Sequence, residues 1–208
     1  TVQLLRGILA GEKTHFSGET LSSHGYRQQP IEGGVPIYLA ALRPRMLELA
    51  AGIGDGVILN LFPRQALPRI VEHIARGASA AGKDPAEVEI VCRHQVAVSA
   101  DPQATRRLFR LMFASYYATP VYNQYLAWAG YEQAAREIRE GWAAGDRERT
   151  ARALSDELID AIAICGTPDY CKDKLAEWRA AGMGMALVNL PTGAPYEMTE
   201  MLLRGLAG

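Results

Sequence analysis

Between Val35 and Asn60 the chain reads V-P-I-Y-L-A-A-L-R-P-R-M-L-E-L-A-A-G-I-G-D-G-V-I-L-N, a strand, a helix and a second strand joined by minimal turns. Val35 to Ala40 is a short apolar run after a Pro/Gly-rich lead-in, as expected of a buried parallel strand. Pro44 stands where a first helical residue belongs, a place that tolerates its missing N–H. Met46, Leu47, Leu49 and Ala50 give the helix an apolar face. Gly52 and Gly54 are expected to end it, and Asp55-Gly56 to turn the chain into a strand from Val57 to Leu61. Connections this short between parallel strands leave an α/β fold as the natural reading.

The turn from Ala40 to Arg45 has unusual chemistry. A helix begins with unpaired backbone N–H groups, ordinarily capped by Ser, Thr, Asp or Asn. Ala40, Ala41, Leu42 and Arg43 carry no capping oxygen. Small alanines let another group approach the backbone, and an uncapped helix start beside an arginine can hold an anion such as phosphate. The alternative is a helix capped by water, with Arg43 in solvent.

A length of 208 residues suits one large domain or two small ones. The net charge of −1 provides no basic field, so nucleic acid is not an expected partner. No apolar run is long enough to span a bilayer, and no membrane association is expected. Thr1 to Ala10 carries an arginine inside a helical pattern and lacks the layout of a signal peptide. Three cysteines, Cys92, Cys165 and Cys171, point to free or buried thiols and a reducing, cytoplasmic setting. No two of the four histidines have zinc-ligand spacing, so no metal site is expected.

Val2, Leu5, Ile8 and Leu9 predict an opening helix that stops at Gly11, with a small hairpin or extended loop over His15 to Leu21. A long helix is predicted over Pro63 to Ala81 and a third strand over Val88 to Ser99. His94 lies within that strand and reads as a hydrogen-bonded packing residue. A broken helical region, about 101–154, follows. Tyr116, Tyr117, Tyr122, Tyr125, Trp128 and Tyr131 fall in it, either as a core or as the lining of a substrate lid. Short helices begin at Ser155 and at Thr167, the fourth strand runs from Met185 to Leu190, and a closing helix covers Tyr196 to Leu206.

Strand and helix alternate four times, which predicts a parallel sheet and a TIM-type (β/α) barrel. Four strands alone would leave open edges and an uncovered face. We therefore expect residues 1–208 to form the C-terminal half of a single barrel domain, the rest being cut away, missing or supplied by another chain.

The string from Gly34 to Asn60 resembles the luciferase-like monooxygenases, and within them the branch that uses the deazaflavin coenzyme F-420. A-G-K-D-P-A-E-V-E-I, V-A-V-S-A-D-P, I-C-G-T-P-D-Y-C-K-D-K-L and A-G-M-G-M-A-L-V-N-L-P are similar to the same family in the same order. The resemblance implies an oxidoreductase that transfers a hydride between coenzyme F-420 and a small organic substrate, with FMN as the alternative cofactor. It places the cofactor phosphate at Leu39, Ala40, Ala41, Leu42 and Arg43, and the cofactor tail near Asn60. Tyr117, Tyr122, Tyr125, Trp128 and Asn189 become substrate-pocket candidates. No catalytic residue can be named, because the family's acid–base residues fall in strands absent from this sequence. We further expect a homo-oligomer, a dimer. The competing readings are a non-catalytic half-barrel assembly protein and, last, a different barrel enzyme acting on a phosphorylated substrate.

Overall fold

The strand–helix–strand unit forms, with its boundaries shifted by a few residues. The structure, a computed structural model, describes every residue except Ala100, Thr192, Ala194, Ala207 and Gly208, and the side chain of Leu206. Along the chain come α1 (Val2–Leu9), β1 (His15–Ser17), β2 (Ser22–His24), β3 (Tyr38–Ala40), α2 (Pro44–Ile53), β4 (Gly56–Asn60), α3 (Leu67–Ala80) and β5 (Glu89–Val98). Then follow α4 (Pro102–Ala118), α5 (Pro120–Trp128), α6 (Glu132–Ala143), α7 (Arg147–Arg152), α8 (Asp156–Ile162), β6 (Ala163–Gly166), α9 (Pro168–Ala180), β7 (Met185–Asn189) and α10 (Tyr196–Leu206).

β3 begins three residues later than the apolar run suggests. Pro36 has no N–H to offer a ladder, and the N–H of Ile37 donates to the Asp55 carboxylate at 2.7 Å. The same carboxylate accepts from Arg6 at 2.9 Å, which fastens α1 to the turn before β4. Gly52 does not stop α2, which runs on to Ile53 with Gly54 as its C-cap. β1 and β2 make the small antiparallel hairpin, paired from His15 opposite His24 to Ser17 opposite Ser22.

The main sheet has five strands, all pairings parallel, one more than the four expected. The addition is β6, only four residues and fully buried. It pairs with the far end of β5, Gln95 opposite Ala163 through Val98 opposite Gly166. Gln95 is also the partner of Asn189 on β7, so β6 and β7 lie on opposite edges of β5. β4 pairs with β5 only as far as Asn60 and Arg93. Leu61 then adopts φ 50°, a conformation that costs a non-glycine residue energy. It takes the chain off the sheet and leaves that edge to β6.

One hydrophobic layer fills the space between the sheet and α2, α3 and α9, with Leu47, Leu59, Leu67 and Ile70 fully buried. Each such side chain contributes about 1.5–3 kcal/mol by leaving water. α2 and α3 cross at Gly77, where a Cβ would lie 2.2 Å from the backbone oxygen of Glu48. His94 is buried in this layer, its Nε2 3.0 Å from Met183 Sδ and its ring edge-on to Trp178. Burial lowers its pKa to about 4, so the ring is neutral and packs, as expected. All three cysteines are free and buried.

A second layer lies past the strand ends, where Leu61, Ala97, Ala163 and Cys165 meet Phe109, Phe113 and Leu158 from the helical insertion. The helices α4 to α7 of the insertion end at Arg152, and the short helix expected from Ser155 follows as α8. Arg106 grips Asp160 with two bonds of 2.8 Å, joining α4 to α8. The buried Asn123 amide donates to the carbonyls of Tyr117 at 3.0 Å and Ala135 at 2.6 Å, joining α4, α5 and α6. Among the described residues no helix is long and apolar enough to cross a membrane.

Candidate functional site

The start of α2 has the composition of an anion site. Its N-cap, Arg43, is extended (φ −117°, ψ 160°) and makes no side-chain cap; Pro44 follows, and the first turn holds no acidic residue. Helix starts are normally stabilised by a capping oxygen or a carboxylate, which complement the positive end of the helix dipole. Here two arginines, Arg43 and Arg45, stand at that positive end instead. Both are exposed and, with Pro44 and Met46, line a surface groove. Arg43 donates to the Gln124 side chain of α5, so the insertion reaches the rim of this groove.

The expected phosphate turn divides by burial. Leu39 and Leu42 pack against the apolar layer. Ala41 is buried, and its N–H is spent on the Ile58 carbonyl at 3.1 Å. Ala40 and Arg43 are exposed. Asn60, the last residue of β4, is half-buried; its Nδ2 lies 3.4 Å from the Tyr122 hydroxyl, and its Oδ1 is buried without a partner. An unpaired buried acceptor is costly unless something supplies a donor.

The aromatic candidates do not form one wall. Tyr117 and Tyr125 are fully buried in the two apolar layers. Tyr117 donates to the Leu61 carbonyl at 2.7 Å, and Tyr125 stacks on Trp128 with ring centres 5.6 Å apart. Burial drives both phenol pKa values well above their ordinary 10. Trp128 is half-buried and faces α3, with the Arg69 guanidinium 4.3 Å above its ring. Only Tyr122 is half-exposed beside Asn60.

Asn189 belongs to a different group, which sequence reasoning missed. Side chains alternate along a strand, so Val91, Arg93 and Gln95 share one face of β5. Arg93 Nη2 donates to Asn189 Oδ1 at 2.9 Å, and Asn189 Nδ2 donates to Gln95 Oε1 at 2.7 Å and to the Leu190 carbonyl at 3.2 Å. Arg93 is the ladder partner of both Asn60 and Leu187, so the polar row crosses three strands. The available signal was an arginine and a glutamine two residues apart, and so on one face, in a largely apolar strand. Among the described residues no group of three or more His, Cys, Asp or Glu could hold a metal.

Residues 1–184 match the model of the family described as luciferase-like monooxygenase. The chain belongs to that family. Among its relatives is a 5,10-methylenetetrahydromethanopterin reductase of Methanolobus tindarius, 31% identical over 205 residues that cover 98% of this chain and 63% of that protein. An F420-dependent glucose-6-phosphate dehydrogenase of Mycolicibacterium gilvum is 31% identical over 210 residues, covering 99% of this chain and 58% of that protein. The solved coenzyme F420-dependent tetrahydromethanopterin reductase of Methanopyrus kandleri superposes with a TM-score of 0.76 at 22% identity, covering 98% of this chain and 59% of that one. This luciferase-like chain thus has a parallel α/β fold that superposes on part of a family barrel, and it spans about 60% of the length of the relatives it matches.

Proposed function

We propose that this luciferase-like chain is the C-terminal half of a barrel oxidoreductase that uses coenzyme F-420, with Arg43 and the start of α2 holding the cofactor phosphate. The observation that carries the reading is a helix start with two arginines, a proline at its first position, no cap and no acid. A phosphate fits there because the helix end is positive and carries no acid, although Pro44 has no N–H and the Met46 N–H is spent on the Arg43 carbonyl at 2.9 Å, which leaves the Arg43 and Arg45 amides and side chains to meet it. When bound, the deazaflavin supplies hydride transfer. The chain's own part is to orient it. Arg43 neutralises the phosphate, and Asn60, half-buried at the end of β4, lies beside the cofactor tail. Tyr122 and Gln124 shape the rim between cofactor and a small organic substrate.

The half-barrel reading draws on the open inner face of the sheet. Met185 and Leu187, on one face of β7, are 43% and 45% exposed, and closing the sheet into a barrel would turn that face to the interior. An apolar stripe on α2, Met46, Leu49 and Ile53, supports association of two copies. Sedimentation velocity tests that point, and a monomer at micromolar concentration removes it.

Fluorescence titration of the purified protein with coenzyme F-420, and separately with FMN, tests the main reading. Saturable binding of the deazaflavin with weaker binding of FMN is the expected result. A preference for FMN would move the chain to the flavin monooxygenases. Failure of both to bind a well-folded sample would overturn the cofactor site.

A further inference from the structure

We propose that Arg93 is the recognition group for an oxyanion, a carboxylate or a phosphate, carried by the substrate. The inference rests on the oxidoreductase reading above for what lies over the inner face of the sheet. Among the described residues the only polar partner of Arg93 is the neutral Asn189 oxygen, at 2.9 Å. A guanidinium has five N–H donors, so most of its capacity is unspent. The carboxylate on the same face of β5, Glu89, lies four residues away along the strand, roughly 13 Å at ordinary strand rise, and accepts from the Tyr38 hydroxyl. Among the described residues no acid stands beside this half-buried cation, and an anion placed there would be stabilised by it.

The residues around Arg93 fix its direction. Asn189 donates both to Gln95 and to the Leu190 carbonyl, so its amide nitrogen is committed and its oxygen must face Arg93. Gln95 is itself buried. The guanidinium is therefore steadied by a neutral chain that does not cancel its charge, an arrangement suited to forked pairing with a planar or tetrahedral oxyanion. Its place is right for a substrate. Arg93 is level with Asn60, where β4 ends, and one strand, roughly 4.8 Å, further from the α2 turn. A second anion at Arg93 would lie across the sheet from the cofactor phosphate, with Leu187 presenting an apolar surface beside it.

The test uses the Arg93 Nε–Hε signal of ¹⁵N-labelled protein, assigned by its disappearance in Arg93→Lys. The protein is titrated with potassium phosphate and, separately, potassium acetate, each at ionic strength held constant with potassium chloride. A saturable shift with at least one anion is expected, and the anion that produces it names the substrate group. Calorimetry of Arg93→Gln should show that anion bound about tenfold more weakly or not at all, with Asn189→Ala in between. No shift with either anion, or unchanged affinity in an Arg93→Gln protein of native melting temperature, overturns the proposal. The shift needs only the unsubstituted protein, so a variant that fails to fold does not rescue the idea. Deazaflavin titration separates the two claims. Lost cofactor binding with the Arg93 response kept overturns the oxidoreductase reading alone; cofactor binding without the response overturns this one alone.

Discussion

The Tyr117 hydroxyl donates to the carbonyl of Leu61 at 2.7 Å, in a contact with no access to solvent. Leu61 is the residue whose φ of 50° ends β4 and turns the chain off the sheet. The helical insertion therefore holds in place the strained step that lets β6 join the sheet.

Replacing Tyr117 with Phe leaves that carbonyl buried and unpaired. The expected loss is about 1–3 kcal/mol of stability, measured by urea denaturation. Deazaflavin affinity should be kept, because a fully buried phenol cannot touch a ligand. A change in affinity without a change in stability would return Tyr117 to the pocket.

The α2–α3 crossing depends on Gly77. A methyl there would lie 2.2 Å from the Glu48 oxygen, and since that oxygen is backbone, a whole helix must move. Gly77→Ala should cost about 1–3 kcal/mol, and it should also weaken cofactor binding by displacing α2. A melting temperature equal to that of the unsubstituted protein would mean that the helices can separate freely.

Charge at the α2 turn is testable without disturbing the core, since Arg43 is exposed. Arg43→Glu places a carboxylate where the phosphate is proposed to lie. Deazaflavin affinity should fall about tenfold or more at low salt, and the difference should shrink as salt screens it. Equal affinities at low salt would remove the phosphate from this turn.

His94 makes stability depend on pH. Its folded-state pKa is about 4, below the ordinary 6.5, because burial disfavours the charged ring. Between those values the unfolded chain binds a proton that the folded protein does not. Stability is therefore fully present above pH 6.5, falls as pH drops toward 4, and levels off below that. The loss is about 3 kcal/mol at most. Chemical denaturation across this window should show the slope in the unsubstituted protein and lose it in His94→Gln. A slope that survives the substitution would assign the effect to other groups.

Much of this protein is legible locally. Pro44 after four residues without a capping oxygen is enough to mark an uncapped helix start, because capping depends on side chains within a turn of it. Ser155 and Thr167 announce the starts of α8 and α9 in the same way, and each accepts from the backbone three residues on. The expected strand run from Val88 to Ser99 agrees with β5 to within a residue at each end, because ten residues are long enough to carry a pattern.

What escaped is non-local. β6 has four buried residues and follows α8 with no glycine or proline between them. Only the edge vacated by β4 makes it a strand. Tyr117 and Tyr122 lie five residues apart with the same chemistry, yet one is sealed in the core and the other stands beside Asn60. Arg93 and Asn189 are 96 residues apart, and nothing in either neighbourhood announces the other. The sequence by itself determined the caps, the alternation of strand and helix, and the anion-ready turn, all set by side chains within a few residues of one another. Only the tertiary structure decided which aromatics are buried and which polar groups meet across the sheet. Burial and long-range hydrogen bonding depend on strand register, and register is settled by packing the whole sheet at once.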